Sequence, residues 1–359
     1  MGDPQKKIII WTDRISEMNT KGSIVGGLTV QMALWAEVFL DNDWDVYSFS
    51  RNRRVKKFNK INFLFIPQLN KLGFILEFFF NMFYLIKIRP EIVIVRGAGR
   101  RLFYAAVLSR LFKIKLIHFG ASDVNYLKGG ERFSKYKVEV ICYRKGVQLT
   151  NCFVAQNEYQ KSLLAEHYNK KNIIVIPNIW KQQMQQKKEK EFDAIWVANF
   201  RELKRPEWFL QLAKDFSLYK FAMVGGPLDK QYYDKIENQT KTIKNLTFFG
   251  KKTLDEVNDL FSMSKCLICT SIFEGFPNTF LQAWANGIPI ISTVDPSDIL
   301  KREELGFQAL NYIDLSTRFG ELINNNTVYK KIQMNICSYF KTHHDPFLHY
   351  QTLYEKLIK

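Results

Sequence analysis

Short runs of apolar residues alternate with longer amphipathic segments along almost the whole sequence. The short runs have the length and the β-branched and aromatic content of buried strands, and the longer segments have helical spacing. In the first half the predicted strands lie at 7–11, 45–49, 62–66, 91–95, 113–119, 152–155 and 172–177. Helices are predicted there at 28–42, 72–88, 100–112 and 157–168. This alternation predicts an α/β fold with parallel sheets covered on both faces.

A polar stretch interrupts the alternation at 180–191, with the sequence WKQQMQQKKEKE, and indicates a linker. The pattern restarts after it, with predicted strands at 192–199, 220–226, 245–250, 265–271 and 288–293. Further helices are predicted at 206–216, 253–262, 313–326, 327–341 and 345–358. Two Rossmann-like domains of similar size therefore fit the 359 residues.

Composition narrows the class of partner. Apolar residues make up 47% of the chain, which is enough for two cores, and the formal net charge is +17. Such an excess of positive charge favours an anionic partner: a nucleotide-sugar, a membrane surface or a nucleic acid. A nucleic-acid-binding surface is signalled by a basic arm or by aromatic residues interleaved with arginine, and the sequence shows neither pattern. We therefore expect no nucleic-acid partner.

Cysteine usage indicates a reducing compartment. The count is odd and the spacing is scattered, at Cys142, Cys152, Cys266, Cys269 and Cys337. Cys266 and Cys269 form a C-x-x-C inside an apolar run, but no second pair and no nearby histidine completes a metal site. The sequence enters a strand directly, without the apolar core of a signal peptide. We therefore expect a cytoplasmic protein without a metal.

The segment 271–289, SIFEGFPNTFLQAWANGIP, carries the most specific chemistry. Glu274 precedes a glycine step at Gly275, and Asn278 or Thr279 is suited to cap the helix that follows. A helix that begins here presents backbone N–H groups to a phosphate, and Glu274 can accept hydrogen bonds from sugar hydroxyls. The pattern favours a sugar-phosphate site, although similar strand–turn–helix junctions occur in many α/β proteins.

The whole string resembles the donor-sugar signature of the retaining family 4 glycosyltransferases (glycosyl transferases group 1), which have the GT-B fold. The resemblance implies two Rossmann-like domains facing across a cleft, with the last helix crossing back to the first domain. The domains would then comprise 1–178 with 343–359, which binds the acceptor, and 179–342, which binds the donor. The implied reaction moves a sugar from a nucleoside diphosphate-sugar to an acceptor hydroxyl with no cofactor. A second Glu of the signature, which in the family contacts the nucleotide ribose, is replaced here by Gln282, which can still hydrogen-bond a ribose hydroxyl but brings no charge.

A second cluster of charge lies in VANFRELKRPE, at 197–207. Cations at the end of a strand suit a diphosphate, although a solvated run of charge has the same local sequence. In the family an Arg and a Lys of this turn contact the donor diphosphate. Lys204 matches directly; Asn199 occupies the usual position of the Arg, and Arg201 is the nearest substitute.

The resemblance assigns the remaining site residues. The catalytic set is Glu274, His118, Arg201 and Lys204. The donor-binding set is Gly26, Gly27, Gly225, Phe249, Gly250, Gly275, Phe276, Pro277, Asn278, Thr279 and Gln282. His118 is either an active-site residue, with general base as one possible role, or a hydrogen-bonded structural histidine. Ser122 and Asp123 follow it on the acceptor side.

The most hydrophobic segment, 72–88, interrupts its apolar residues with Glu77, Asn81 and Lys87. It predicts a helix that either packs into the core or rests on an anionic membrane surface, with Lys71, Lys87 and Arg89 at its ends. In the second case the acceptor would be a lipid-linked glycan, within polysaccharide or glycolipid synthesis. Alternative functions are a nucleotide-sugar epimerase of the same fold and an inactive basic protein that binds a membrane or nucleic acid.

Overall fold

The structure is a computed structural model, and it describes residues 5–18, 26–55, 57–67, 73–127, 136–181, 189–274 and 276–359. The chain divides into two compact units. The first comprises Met1–Ile179 together with Pro346–Lys359, and the second comprises Trp180–Asp345. Each unit is an α/β layer structure with its own sheet.

Within the described residues, the first unit is built on an eight-stranded sheet in the order β3-β4-β2-β1-β5-β6-β7-β8. Every pairing is parallel except that of β3 with β4. The strands are β1 Lys7–Ile10, β2 Asp45–Ser50, β3 Lys57–Phe58, β4 Ile61–Phe65, β5 Ile92–Arg96, β6 Lys115–Phe119, β7 Cys152–Ala155 and β8 Ile173–Val175. The helices are α1 Gly27–Leu40, α2 Gly73–Ile88, α3 Arg101–Leu111, α4 Lys137–Leu149 and α5 Glu158–Tyr168.

Successive side chains of β1 show why this sheet needs cover on both faces. Ile8 and Ile10 pack into one cluster with Trp35 of α1, whereas Ile9 packs into the opposite cluster with Leu102 of α3. Alternate strand residues point to opposite faces, so a run of isoleucines fills two cores at once.

The second unit has a six-stranded, all-parallel sheet within its described residues, in the order β11-β10-β9-β12-β13-β14. Its strands are β9 Phe192–Val197, β10 Phe221–Val224, β11 Leu246–Gly250, β12 Ser264–Cys269, β13 Ile290–Ser292 and β14 Gly306–Gln308. Its helices are α6 Pro206–Asp215, α7 Lys230–Thr240, α8 Leu254–Ser262, α9 Asn278–Ala285, α10 Ile299–Arg302, α11 Tyr312–Asn324 and α12 Asn326–His343.

The end of the chain returns to the first unit, as predicted. Helix α13, Pro346–Leu353, continues into a π-helical turn, Tyr354–Ile358. The indole nitrogen of Trp44 donates to the Tyr350 hydroxyl at 2.9 Å, and the Lys115 ammonium donates to the carbonyl of Ile358 at 2.7 Å. These bonds fix the last helix against the first sheet.

Several elements differ from the sequence pattern. Helices α4, α7 and α10 and the short strands β3 and β14 were not predicted. Helix α7 buries only Ile236 and Thr240, so its apolar stripe is too narrow to signal a helix. Residues 182–188 of the predicted linker lie outside the described residues. None of the described helices is long and apolar enough to cross a bilayer.

Candidate active site

Most of the predicted donor residues follow the carboxyl ends of four parallel strands in the second unit. Arg201 and Lys204 follow β9, Gly225 follows β10, Gly250 ends β11, and Glu274 follows β12. Because the strands are parallel and neighbouring, these residues collect along one edge of the sheet. Ligands of open α/β sheets bind at this edge.

Lys204 and Glu274 form an ion pair at the centre of this edge. The Lys204 ammonium donates to Oε1 of Glu274, and the Ser271 hydroxyl donates to the same oxygen at 2.8 Å. The side chains are only 12% and 18% exposed, so the pair is largely shielded from solvent. The two residues lie 70 positions apart in the chain, and the fold alone brings them together.

Hydrogen bonds join the loop that follows β9 and carries Lys204 to the loop that follows β12 and carries Glu274. The Ile272 N–H donates to the carbonyl of Leu203 at 2.8 Å, and the Thr270 hydroxyl donates to the carbonyl of Lys204 at 2.6 Å. The indole nitrogen of Trp196 in turn donates to the Thr270 hydroxyl at 3.0 Å. Lys204 and Glu274 therefore stand on a fixed frame.

The loop that follows β9 carries Arg201 and Arg205 beside Lys204, and these two arginines have different environments. Arg201 is exposed and precedes a short 3₁₀ turn, Glu202–Lys204. Arg205 has a left-handed backbone, with φ of 43°, and its Nε donates to the carbonyl of Thr270 at 2.8 Å. Its guanidinium also lies over the ring of Trp208, 4.0 Å from the ring centroid. Arg205 thus joins the two loops, whereas Arg201 is open to a ligand.

The start of helix α9 differs in one detail from the prediction. The helix begins at Asn278 with Pro277 as its cap, which is one residue earlier than an Asn278 cap requires and two earlier than a Thr279 cap requires. No side chain caps this end, so a ligand does not compete with a capping group there. The Phe276 ring packs against Phe280. Gly275 lies outside the described residues.

Gln282 lies on α9 with its side chain turned into the protein. It is 5% exposed, and its amide nitrogen donates to Oδ1 of Asn258 on α8 at 3.1 Å. Its present contact is therefore a bond between two helices, and its contact with a ribose stays a prediction.

Two predicted glycines of this edge lie where the backbone disfavours a side chain. A Cβ on Gly225 would overlap the carbonyl oxygen of Ala198, and Gly250 has a positive φ of 61°. Gly225 donates its N–H to the carbonyl of Gly250 at 2.9 Å, which ties the ends of β10 and β11. The ring of Phe249 packs against Phe192, with the centroids 5.7 Å apart.

His118 lies at the end of β6 in the first unit and is completely buried. Its Nε2 lies 3.1 Å from the carbonyl of Gly97, and its Nδ1 lies 3.1 Å from the Tyr126 hydroxyl. A neutral ring with the proton on Nε2 satisfies both contacts. Burial lowers the pKa of His118 to about 4, with the charge of Arg96 acting in the same direction. This environment is that of the hydrogen-bonded structural histidine.

Within the described part of the first unit, the other predicted residues do not hydrogen-bond to His118. Gly26 caps α1 and Gly27 begins it, and no atom of the described residues lies within 4 Å of the position of a Cβ on Gly26. Ser122 caps a 3₁₀ turn, and Asp123 Oδ1 accepts from the amide of Gln160 at 2.9 Å. Residues 19–25, which precede Gly26, lie outside the described residues.

The structure adds residues that the sequence did not single out. Ser271 fixes the Glu274 carboxylate, and in the first unit Asp13, Glu77 and Arg101 form a partly buried cluster of charge. They had no local signal, because their partners come from distant strands and helices. Within the described residues no cluster of His, Cys, Asp or Glu has the arrangement of a metal site. Cys266 is a buried free thiol that donates to the carbonyl of Asp193 at 3.3 Å.

Comparison with known proteins gives matches for one unit and for the whole chain. Residues 178–335 match the family model of Glycosyl transferases group 1. An uncharacterized glycosyltransferase of Methanocaldococcus jannaschii is 21% identical over 241 residues, which is 59% of this chain and 58% of that protein. The chain thus matches little more than half the length of that relative.

Solved structures match over nearly the full length. A glycosyltransferase from Rickettsia africae is 14% identical with a TM-score of 0.76, covering 99% of both chains. Anabaena HepE in complex with UDP is 13% identical with a TM-score of 0.74, covering 98% of this chain and 99% of that one. WaaG, a glycosyltransferase involved in lipopolysaccharide biosynthesis, is 13% identical with a TM-score of 0.69, covering 97% and 99%. The chain therefore has the GT-B fold, and its residues 178–335 match the glycosyl transferases group 1 family.

Proposed function

We propose that this protein is a retaining glycosyltransferase that moves a hexose from a nucleoside diphosphate-sugar to an acceptor hydroxyl. The observation that carries the proposal is the Lys204–Glu274 pair at the carboxyl edge of the second sheet. Both residues fall inside the segment that matches the group 1 family. A cation, a carboxylate and the start of a helix at one edge suit a sugar joined to a diphosphate.

Each group has a distinct task in the proposed reaction. Lys204, Arg201 and the start of α9 stabilise the negative charge that develops on the departing diphosphate. Glu274, whose carboxylate is oriented by Ser271, accepts hydrogen bonds from the sugar hydroxyls. The acceptor oxygen attacks from the face that the leaving group quits, which preserves the anomeric configuration. The cations do the work that a metal does elsewhere, so the proposed reaction is independent of metal.

A donor screen tests this function directly. UDP-, GDP- and ADP-sugars are added to the full chain, and the melting temperature is measured, because a ligand that binds the folded state raises it. UDP-sugars are the first choice, since HepE was solved with UDP. Lys204→Ala should abolish the shift, and Lys214→Ala, an exposed lysine of α6, should retain it.

The second part of the test measures chemistry. With the donor found, released nucleoside diphosphate is followed with and without EDTA, and EDTA should leave the rate unchanged. The anomeric configuration of the product is read by NMR. A protein that binds donors but never releases the diphosphate would be a binding protein, and inversion of the anomeric centre would contradict the retaining mechanism.

The exposed apolar face of helix α2 supports the proposal that the acceptor is carried by a membrane. Its exposed face carries Ile75, Leu76, Phe79, Phe80, Phe83 and Ile86, which are 36–55% exposed. Its buried face carries Glu77 and Asn81. Glu77 binds Arg51 at 3.0 Å. The buried face also carries Leu85 and Ile88, so the core contacts of α2 are made without the six exposed apolar side chains. Packing into the core therefore does not account for these phenylalanines.

We propose that this face of α2 rests on an anionic membrane, where the protein meets a lipid-linked glycan on the cytoplasmic side. Phenylalanine and leucine side chains enter the headgroup region, and the exposed Lys87 and Arg89 attract anionic lipid. Lys71, the third predicted cation, lies outside the described residues.

Liposome co-sedimentation tests the membrane contact. The protein should pellet with vesicles of phosphatidylglycerol and phosphatidylcholine, less so in high salt. Phe79→Ser with Phe83→Ser should abolish pelleting, and Lys87→Glu with Arg89→Glu should weaken it. Leu218→Ser, which changes a 95% exposed leucine of the second unit, is the matched control and should pellet as the wild type does. Equal recovery in the supernatant with neutral and anionic vesicles at low salt would rule out this contact.

A further inference from the structure

A cavity of about 170 Å³ lies in the first unit at the carboxyl ends of β1 and β5. Its walls include Trp11, Thr12, Leu28, Arg96 and Arg101. Strand β1 pairs with β2 on one side and with β5 on the other, so the order of the sheet reverses between β1 and β5. Such a reversal is where open α/β sheets bind ligands.

The two arginines of this cavity differ in their partners. Arg101 donates to both carboxylate oxygens of Asp13, at 3.0 and 2.7 Å, and lies 3.6 Å from Glu77. Arg96 has only neutral partners among the described residues. Its Nη2 donates to Oδ1 of Asn178 at 2.6 Å and lies 2.9 Å from the amide of Gln156.

The Arg96 guanidinium is not fully satisfied. Its Nε is buried and has no hydrogen-bond partner within the described part of the chain. Burial lowers the pKa of Arg96 to about 10, which leaves the group charged at neutral pH. A buried charge without a counter-charge is costly to folding, and proteins retain such groups chiefly at functional sites.

The loop after Arg96 allows a ligand to come close to the backbone. Gly97 and Gly99 have positive φ angles of 80° and 155°, which favour glycine. A Cβ on Gly99 would meet no atom of the described residues within 4 Å. Helix α3 begins at Arg101, two residues later, and its amino end adds positive potential.

We propose that this cavity binds an oxyanion, a phosphate or a carboxylate, and that Arg96 is its principal counter-charge. Together with the proposed function, this assigns an anionic acceptor to the enzyme: a sugar or lipid-linked glycan that carries a phosphate or an acidic sugar. Among the described residues that line the cavity there is no carboxylate, and the two charged ones, Arg96 and Arg101, are cationic. A neutral acceptor would leave the Arg96 charge uncompensated.

The test measures anion binding to the full chain without a donor. Inorganic phosphate, glucuronate and glucose are titrated against the wild type by thermal shift and calorimetry. Phosphate or glucuronate should raise the melting temperature and glucose should not; the stronger of the two anions identifies the group. Arg96→Gln should weaken anion binding at least tenfold, whereas Arg14→Gln, an exposed arginine of the same unit, should not change it.

One further variant and a stability measurement separate this site from the donor site. Lys204→Ala should retain the anion effect, because Lys204 belongs to the second unit. Arg96→Gln should also leave the melting temperature without ligand unchanged or higher, because it removes a buried unpaired charge. Equal anion binding by wild type and Arg96→Gln, or loss of the effect in Lys204→Ala alone, would overturn the proposal. A failed donor screen with intact anion binding would count against the proposed function only.

Discussion

At the carboxyl edge of the second sheet, Lys204 is paired with Glu274, and Ser271 holds the same carboxylate. At the carboxyl edge of the first sheet, Arg96 contacts only neutral amides within the described residues, and His118 beside it is neutral and buried. One edge therefore holds a cation and an anion in a fixed arrangement. The other holds the Arg101–Asp13 pair and, beside it, Arg96, which has no counter-charge among the described residues.

This difference matches the chemistry proposed for each unit. A sugar-diphosphate has hydroxyls and phosphates, and an edge with a carboxylate and cations binds both kinds of group. An arginine without a counter-charge, such as Arg96, selects a ligand by its negative charge. Under the proposed function, the second unit orients the donor and the first unit selects the acceptor by charge.

The largest expected effect comes from removing the carboxylate of the second edge. Glu274→Ala should lower kcat/KM by at least ~100-fold, which corresponds to about 3 kcal/mol of transition-state stabilisation. Glu202→Ala, an exposed carboxylate of the neighbouring turn, should change kcat/KM little. Steady-state kinetics and circular dichroism of both variants provide the measurement. Near wild-type turnover by a folded Glu274→Ala would remove Glu274 from the site.

The buried His118 should make the first unit sensitive to mild acid. Its pKa falls from the usual 6.5 to about 4 in the folded protein, so the unfolded chain binds a proton first as the pH drops. The stability from this group is therefore present above pH 6.5 and is lost as the pH falls towards 4. The loss is about 3 kcal/mol.

Urea unfolding between pH 7 and pH 4 measures this effect. His118→Gln should have a flatter dependence on pH than the wild type, and His343→Gln, an exposed histidine, should follow the wild type. A constant difference between wild type and His118→Gln across this range would contradict a neutral buried ring. If the pH profile of kcat/KM shows a pKa near neutrality in the wild type and this pKa is absent in His118→Gln, His118 acts as a general base instead.

A smaller effect is expected at Asp13, in the charge cluster beside the cavity. Burial by itself would raise the pKa of this carboxyl, but the hydrogen bonds and charges of Arg101 and Arg51 lower it to about 2. Its contribution is present above pH 4 and is lost as the pH falls towards 2. Asp13→Asn should lower the free energy of unfolding at pH 7 by about 2 kcal/mol.

The same urea titration, extended to pH 2, measures this contribution. The difference between wild type and Asp13→Asn should disappear near pH 2, and Asp255→Asn, an exposed aspartate of α8, should show little difference at any pH. A difference that persists at pH 2 would mean that Asp13 acts by packing and not by charge.

The smallest effect is expected at Gln282. Gln282→Glu should keep transfer within roughly tenfold, about 1.4 kcal/mol, because both side chains accept hydrogen bonds from a hydroxyl. The amide of Asn258 can turn its nitrogen towards the new carboxylate. Gln239→Glu, the same change at an exposed position, is the control. If only the Glu variant transfers sugar with any donor, the natural chain is a degenerate transferase.

Much of the second unit could be predicted because its signals are local. The segment 271–289 contains a strand end, a turn and a helix in one continuous stretch, so its sequence specifies both its structure and its chemistry. The cap of α9 was predicted one or two residues too late, because Pro277 has the extended backbone of a cap without the side chain that signals one.

The first unit was less predictable for the opposite reason. The 72–88 helix was predicted correctly as an element. Which of its faces is buried depends on the arginines that bind Glu77: Arg51, which follows β2, and Arg101, which begins α3. The helix sequence itself contains neither of them. Arg96 reads as the end of an ordinary strand, VIVR, and its missing counter-charge is visible only once its neighbours are known.

The sequence by itself determined the alternation of strands and helices, the two units and the donor signature, because these depend on periodicity and on contiguous residues. The tertiary structure decided which charges meet: Lys204 with Glu274, Arg101 with Asp13, and Arg96 with no carboxylate among the described residues. Pairing of charges depends on distances between residues that the chain separates by dozens of positions. Only the packing of strands and helices sets those distances.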